Sequence, residues 1–117
     1  MPRSAVSPGS PRLLAIECGI MKIETVMDIS DWRKKIDELD RELVRLLNER
    51  ARCAVEIGKI KRQNGLPILE PSREQEVMQR AFDANHGPLA DPAIQRVFER
   101  IVEEGKALQK RLFEEQQ

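Results

Sequence analysis

Residues 30–63 read SDWRKKIDELDRELVRLLNERARCAVEIGKIKRQ, a stretch without proline whose one glycine is Gly58. This pattern predicts a single helix, capped at its start by Asp28 or Ser30 and ended by Asn64 and Gly65. At about 1.5 Å of rise per residue, the helix is roughly 50 Å long. That length exceeds the core of one small domain, so we expect the helix to pack against a partner chain.

An apolar stripe runs along this helix and contains two cations. At about 100° per residue, its apolar members lie within about 60° of Leu39; they include Trp32, Ile36, Leu43, Leu46, Cys53, Ala54 and Ile57. Arg50 and Lys61 lie in the same stripe, about 16 Å apart along the axis. Because burying an unpaired charge is costly, the two cations indicate either a buried ion pair within the bundle or a site for a small anionic ligand.

Composition excludes several classes of function. Lys and Arg equal Asp and Glu at 20 each, and no basic run favours nucleic acid or a membrane surface. No stretch is long enough to span a bilayer. Cys18 and Cys53 form no disulfide framework and are typical of reduced thiols in a cytoplasmic protein. His86 stands alone, so we expect neither a metal nor a cofactor.

The first 27 residues differ from the rest of the chain. Three prolines fall within the first eleven positions, and the apolar run at residues 13–16 is too short for a secretory signal. We predict that residues 1–27 are a disordered tail or a mis-called start, with Met21 or Met27 as the true first residue. Residues 28–117 are then one domain.

A second, shorter helix is predicted from about Pro71 to Ala84, with Pro71 at its first position and Glu70 or Ser72 as its cap. Its inward face comprises Glu74, Val77, Met78, Ala81 and Phe82. Glu74 is therefore an acid on an apolar face, opposite in sign to Arg50 and Lys61. Alternatively, it is one of the first-turn acids that the helix dipole favours.

A third helix is predicted from Asp91, as cap before Pro92, to about Glu114. Its apolar face comprises Ile94, Val97, Phe98, Ile101, Val102, Leu108 and Leu112. Gly105 and Gln109 lie in that face. A buried glutamine needs hydrogen-bond partners, unless it lies near a fraying end and faces water. The chain is therefore expected to be all-α, with helices of about 34, 14 and 23 residues.

The long helix also carries a second apolar seam, Leu47, Ala51, Val55 and Gly58, about 80° to 160° from Leu39. Two short helices cannot cover both sides of it, so the pattern predicts an intertwined homodimer. Arg33 lies on the second seam, about 25 Å from Arg50 along the axis, beyond the reach of the same ligand in its own chain. Arg33 of a partner subunit could reach that ligand; alternatively Arg33 is a solvated first-turn residue near Asp37.

The chain resembles the all-helical AroQ class (type II) of chorismate mutases over residues 31 to 109. The resemblance is carried by WRKKIDELD from Trp32, LLNER from Leu46, AVEIGKIK from Ala54 and PILEPSRE from Pro67, with the third-helix pattern down to Gln109. It implies an intertwined homodimer of three-helix chains with two equivalent active sites. The implied activity converts chorismate to prephenate in phenylalanine and tyrosine biosynthesis. Because no dehydratase or dehydrogenase domain follows Gln117, we expect a monofunctional form.

The resemblance assigns roles to four residues that meet the substrate's acidic groups and ether. Arg33 from the partner subunit would bind one substrate carboxylate, and Arg50 would bind the other. Lys61 would contact a carboxylate and the breaking ether oxygen. Gln109 would donate a hydrogen bond to the same ether oxygen.

Four further residues are implied around the substrate's ring. Glu74 would accept the hydrogen bond of the ring hydroxyl, helped by the backbone near Glu70, and Arg73 would order the loop and the acid. Glu70 replaces the aspartate that the family often has. Gly105 replaces a serine that often donates to the ring carboxylate. Losing that hydrogen bond costs about 1 kcal/mol of substrate binding if water does not replace it.

The implied rearrangement is unimolecular and requires no nucleophile, general base or metal. It requires a dicarboxylate held in its compact conformer and donors aimed at the ether oxygen. Because Gln109 is neutral, it donates at any pH, and we expect a flat pH profile across neutrality. Two alternatives are an isochorismate-pyruvate lyase on the same fold and a non-catalytic helical dimer that regulates a shikimate-pathway enzyme. Some small members of the family associate with such an enzyme.

Overall fold

The computed structural model describes residues 26–115, which form three α-helices and no strand. Helix α1 spans Ile29–Gln63, α2 spans Pro71–Ala84 and α3 spans Asp91–Glu115, with 35, 14 and 25 residues. The predicted all-helical class and the three helices are confirmed. None of these helices combines the length and apolarity needed to cross a membrane. The predicted tail, residues 1–27, lies outside the described residues except for Val26 and Met27, and the extent of the domain stays a prediction.

Helix α1 begins with a reciprocal cap. The backbone N–H of Asp31 donates to Oδ1 of Asp28 at 2.9 Å, and the N–H of Asp28 donates to Oδ2 of Asp31 at 3.2 Å. This is the capping-box arrangement, which satisfies two N–H groups that the helix leaves without partners. Of the two predicted caps, Asp28 is therefore the one that is used.

Helix α1 ends in a Schellman motif. Gly65 has φ +65°, the left-handed conformation that glycine adopts without strain. The N–H of Leu66 donates to the carbonyl of Lys61 at 2.8 Å, and the N–H of Gly65 donates to that of Arg62 at 3.3 Å. The predicted glycine stop is confirmed, and it folds the following loop back beside Lys61.

Helix α2 starts as its proline predicts, and α3 starts one residue earlier than predicted. Pro71 lies at the start of α2, and the preceding Glu70 occupies the cap position without a capping side-chain hydrogen bond. Asp91, predicted as the cap of α3, is instead its first helical residue. Its Oδ1 accepts from Nδ2 of Asn85 at 2.8 Å, and that amide also donates to the carbonyl of Leu89 at 2.9 Å. This amide ties the loop between the two helices to the start of α3.

The chain divides into two compact units, Met1–Glu42 and Leu43–Gln117. The described part of the first unit is mainly the start of α1, whose side chains there are exposed. In the second unit, α2 and α3 pack against each other. Among the described residues only Ala81 and Gln109 are buried, each 9% exposed. Many large apolar side chains stay exposed, and the intertwined homodimer stays a prediction.

Candidate active site

A cavity of about 300 Å³ lies within the second unit, lined by the C-terminal part of α1, the loop after it, α2 and α3. Its volume is within the range of small-molecule sites. Six of the predicted site residues line it with charged or polar side chains: Arg50, Lys61, Glu70, Arg73, Glu74 and Gln109. Gly105 also lines it, so seven of the eight predicted residues meet around one cavity.

Lys61 is held in the cavity wall by the loop that the Schellman motif folds back. Its Nζ donates to the carbonyl of Ile68 at 3.0 Å and lies 2.6 Å from Oε1 of Glu70. The Lys61 side chain is only 12% exposed. The ion-pair interpretation of this cation is therefore correct in part, because Lys61 has an acidic partner. It still lines the cavity.

Gln109 is buried, so the alternative that placed it in water near a fraying end is wrong. Its Nε2 donates to the backbone carbonyl of Ala54 at 2.7 Å, which joins α3 to α1. The close approach depends on Gly58: a Cβ there would lie 3.1 Å from Cγ of Gln109. Glycine in mid-helix weakens a helix relative to alanine by about 0.5–1 kcal/mol, and here the missing Cβ makes room for the amide.

Arg50 lines the cavity from α1, partly buried, opposite Gly105 of α3. Its guanidinium makes no ion pair or hydrogen bond with any of residues 26–115. A Cβ at Gly105 would lie 3.8 Å from Nη1 of Arg50 and 3.8 Å from Cβ of Ala54, which is ordinary contact. The structure therefore has room for a serine side chain at this position, the residue that the resemblance implied.

Glu74 is paired with a residue that the sequence analysis did not assign to the site. Nζ of Lys106 lies 2.9 Å from Oε2 of Glu74, and Lys106 also lines the cavity. The sequence of α3 did indicate a position for Lys106. Its helical spacing places the lysine on the same face as Val102, Gly105 and Gln109. The lysine was missed because long lysine side chains commonly border apolar faces with their heads in water.

Arg73 and Arg33 differ from the other predicted residues. Arg73 lines the cavity but is about half exposed, and its Nη1 lies 3.2 Å from Oε1 of Glu76 on the helix surface. Arg33 belongs to the first unit and is not among the residues that line the cavity. Its assignment to the partner subunit's site stays a prediction.

The cavity has more positive than negative groups. Its lining contains four cations, Arg50, Lys61, Arg73 and Lys106, against two acids, Glu70 and Glu74. The difference of two charges suits a small dianion. Arginine forks and ammonium groups bind carboxylates through charge-assisted hydrogen bonds. Among residues 26–115, no His, Cys, Asp and Glu side chains gather in the way that a metal site requires.

Within residues 26–115 the chain is an all-helical protein whose cavity is lined by more cations than acids. Residues 32–110 match the chorismate mutase type II family. The chain therefore belongs to the chorismate mutase type II family.

The individual proteins that the chain is similar to are also named as chorismate mutases. The chain is 37% identical over 90 residues to the chorismate mutase of Methanocaldococcus jannaschii, covering 76% of this chain and 91% of that protein. It is 35% identical over 89 residues to the bifunctional chorismate mutase/prephenate dehydratase of Aquifex aeolicus, covering 73% of this chain. The match covers only 25% of the length of that bifunctional relative.

Solved structures agree as well. Chorismate mutase (form II) from Thermus thermophilus is similar with a TM-score of 0.69 and 37% identity, over 71% of this chain and 94% of that one. Form I of the protein from the same source gives a TM-score of 0.64 and 38% identity, over 66% of this chain and 96% of that one. The likeness therefore holds in both sequence and fold.

Proposed function

We propose that this chain catalyses the intramolecular Claisen rearrangement of chorismate to prephenate, a step of phenylalanine and tyrosine biosynthesis. The observation that carries the proposal is the meeting of Arg50, Lys61, Glu74 and Gln109 around one cavity with two excess positive charges. Membership of the chorismate mutase type II family supports the same reaction.

The reaction breaks a C–O bond as a C–C bond forms, so the protein's task is to position the substrate and stabilise developing charge. Arg50 binds one carboxylate and helps to hold the compact conformer in which the two reacting carbons lie close together. Lys61 and Gln109 donate to the ether oxygen, where negative charge develops in the transition state. Because Lys61 is held by the loop and Gln109 by Ala54, both donors are fixed before the reaction begins.

Glu74 accepts the hydrogen bond of the ring hydroxyl in this proposal. Glu70 keeps Lys61 in place by its ion pair, and its own backbone carbonyl accepts from the N–H of Glu74 at 3.1 Å. Arg73, in the first turn of α2, orders the loop and the acid from the cavity edge, where it also pairs with Glu76. Gly105 leaves the ring carboxylate without the serine donor that the family often supplies.

We also propose that the functional unit is an intertwined homodimer with Arg33 of the partner subunit completing each site. An apolar groove of about 800 Å³ supports a partner chain; its apolar members include Leu43, Leu47, Ala51, Val97, Ile101 and Leu108. Exposed apolar patches of this kind mark interaction surfaces. Arg50 and Gly105 line both this groove and the cavity, so a partner seated in the groove would border the site. A cytoplasmic location and association with a shikimate-pathway enzyme stay predictions.

The direct test supplies the purified protein with chorismate and, separately, with isochorismate, and separates the products by chromatography. Prephenate from chorismate is the expected result. Salicylate and pyruvate from isochorismate would reassign the chain to the lyase activity. No turnover of either compound by a well-folded protein would favour the non-catalytic helical dimer.

Replacing Lys61 by alanine tests the mechanism. The loss of a fixed donor to a developing oxyanion is expected to lower kcat by about 100-fold or more. Lys59→Ala is the matched control, because Lys59 is two residues away and pairs with Glu56 on the helix surface. Wild-type turnover that survives in Lys61→Ala would show that the ammonium does not act in the reaction.

A further inference from the structure

The ion pair between Lys106 and Glu74 joins α3 to α2 at the cavity wall. Nζ of Lys106 lies 2.9 Å from Oε2 of Glu74, and the two side chains are 29% and 36% exposed. Both residues line the cavity and also border the open charged groove between the two helices. The pair therefore lies where the cavity and that groove adjoin.

Only one oxygen of the Glu74 carboxylate is engaged by the protein. Oε2 faces Lys106, while Oε1 makes no hydrogen bond with any of residues 26–115. An ion pair through one oxygen favours the orientations of the carboxylate that keep this contact. The second oxygen is left to accept a hydrogen bond from a ligand in the cavity that Glu74 lines.

We propose that Lys106 is a positioning residue for the substrate: it fixes the Glu74 carboxylate through Oε2, so that Oε1 accepts the hydrogen bond of the ring hydroxyl. The proposal rests on the function proposed above. It also resolves an electrostatic conflict. An ionised acid repels a dianionic substrate, and the Lys106 ammonium offsets that charge while leaving the acceptor in place.

The Lys106→Met variant tests the proposal, with Lys110→Met as the matched control. Lys110 is an exposed lysine one helical turn further along α3, and it does not line the cavity. Lys106→Met is expected to raise KM for chorismate about tenfold and to change kcat by less than about threefold, because the missing contact orients the substrate. Lys110→Met is expected to match the wild type.

Two further variants separate positioning from a merely structural role. Lys106→Arg is expected to restore most of the wild-type KM, since a guanidinium also donates to Oε2, and it remains informative if Lys106→Met does not fold. In a Glu74→Gln background, Lys106→Met is expected to change KM by less than about twofold, because no ionised carboxylate is left to be held.

The outcomes distinguish this proposal from the one on which it rests. Chorismate turnover by the wild type with an unchanged KM in Lys106→Met would overturn the role of Lys106 alone. An effect of Lys106→Met that persists undiminished in the Glu74→Gln background would also overturn it. Absence of chorismate turnover by the folded wild-type protein would overturn both proposals.

Discussion

The amide of Gln109 gives the proposed site a donor that does not titrate. Activity of the wild type is therefore expected to be flat between about pH 6 and pH 8. In Gln109→Glu the donor exists only when the new carboxyl is protonated, which for an ordinary glutamic acid occurs below about pH 4.3. Activity of that variant is expected to fall as pH rises, because ionisation removes the donor and adds a charge that repels the substrate.

The measurement is kcat/KM as a function of pH for both proteins. Gln109→Asn serves as the control, since it keeps a neutral amide while shortening its reach, and is expected to lower activity equally at every pH. A steep loss of wild-type turnover across neutrality would contradict the proposed role of the amide.

Gly105 offers a test by gain of binding. Because a Cβ there makes only ordinary contacts of 3.8 Å, Gly105→Ser is expected to fold and to supply a hydroxyl beside Arg50. One added hydrogen bond is worth about 1 kcal/mol, which corresponds to a KM about fivefold lower. Gly105→Ala carries the same Cβ without the hydroxyl and is expected to leave KM unchanged. Equal KM values for the two variants would refute the hydroxyl's contribution.

At the scale of elements, the contact between α1 and α3 depends on a second glycine. Gly58→Ala would place a Cβ 3.1 Å from Cγ of Gln109, so the Gln109 side chain must move by a few tenths of an ångström, which strains its bond to Ala54. We expect kcat to fall about tenfold or more, since misplacing a fixed donor weakens transition-state stabilisation.

The control for this substitution lies on the facing helix. Gly105→Ala also adds one methyl group in mid-helix, but that methyl makes only ordinary contacts. It is expected to raise the free energy of unfolding by about 0.5–1 kcal/mol, whereas Gly58→Ala gains little. Thermal unfolding and steady-state kinetics measure both effects, and identical behaviour of the two variants would show that the Gly58 contact is unimportant.

The helices could be predicted because their ends are encoded locally. Asp28 and Asp31 cap α1, Gly65 stops it, and Pro71 starts α2, each within a few residues of chain. The burial of Gln109 and the partner of Glu74 could not be derived this way. They depend on which helix faces meet, and Lys106 and Glu74 are 32 positions apart in the sequence. A periodic pattern places a residue on a face without identifying its partner.

At the scale of the whole molecule, the shared site can be tested by mixing two damaged chains. Arg33→Ala and Arg50→Ala are each expected to be inactive as homodimers. A heterodimer of the two has one site with both arginines intact and one with neither. Random pairing after co-expression is therefore expected to restore about a quarter of wild-type turnover, as follows from two equivalent sites per dimer. A mixture that remains inactive would contradict the exchange of Arg33 between subunits.

The burial of Gln109 also bears on how this protein can be engineered. Among the described residues, one of the two most enclosed positions holds a polar amide that the proposed chemistry requires, where a stable interior would ordinarily hold leucine or methionine. A library selected for heat resistance alone would be expected to enrich apolar replacements at this position. The selected variants would be thermostable but inactive, so directed evolution of this protein should select for turnover in every round.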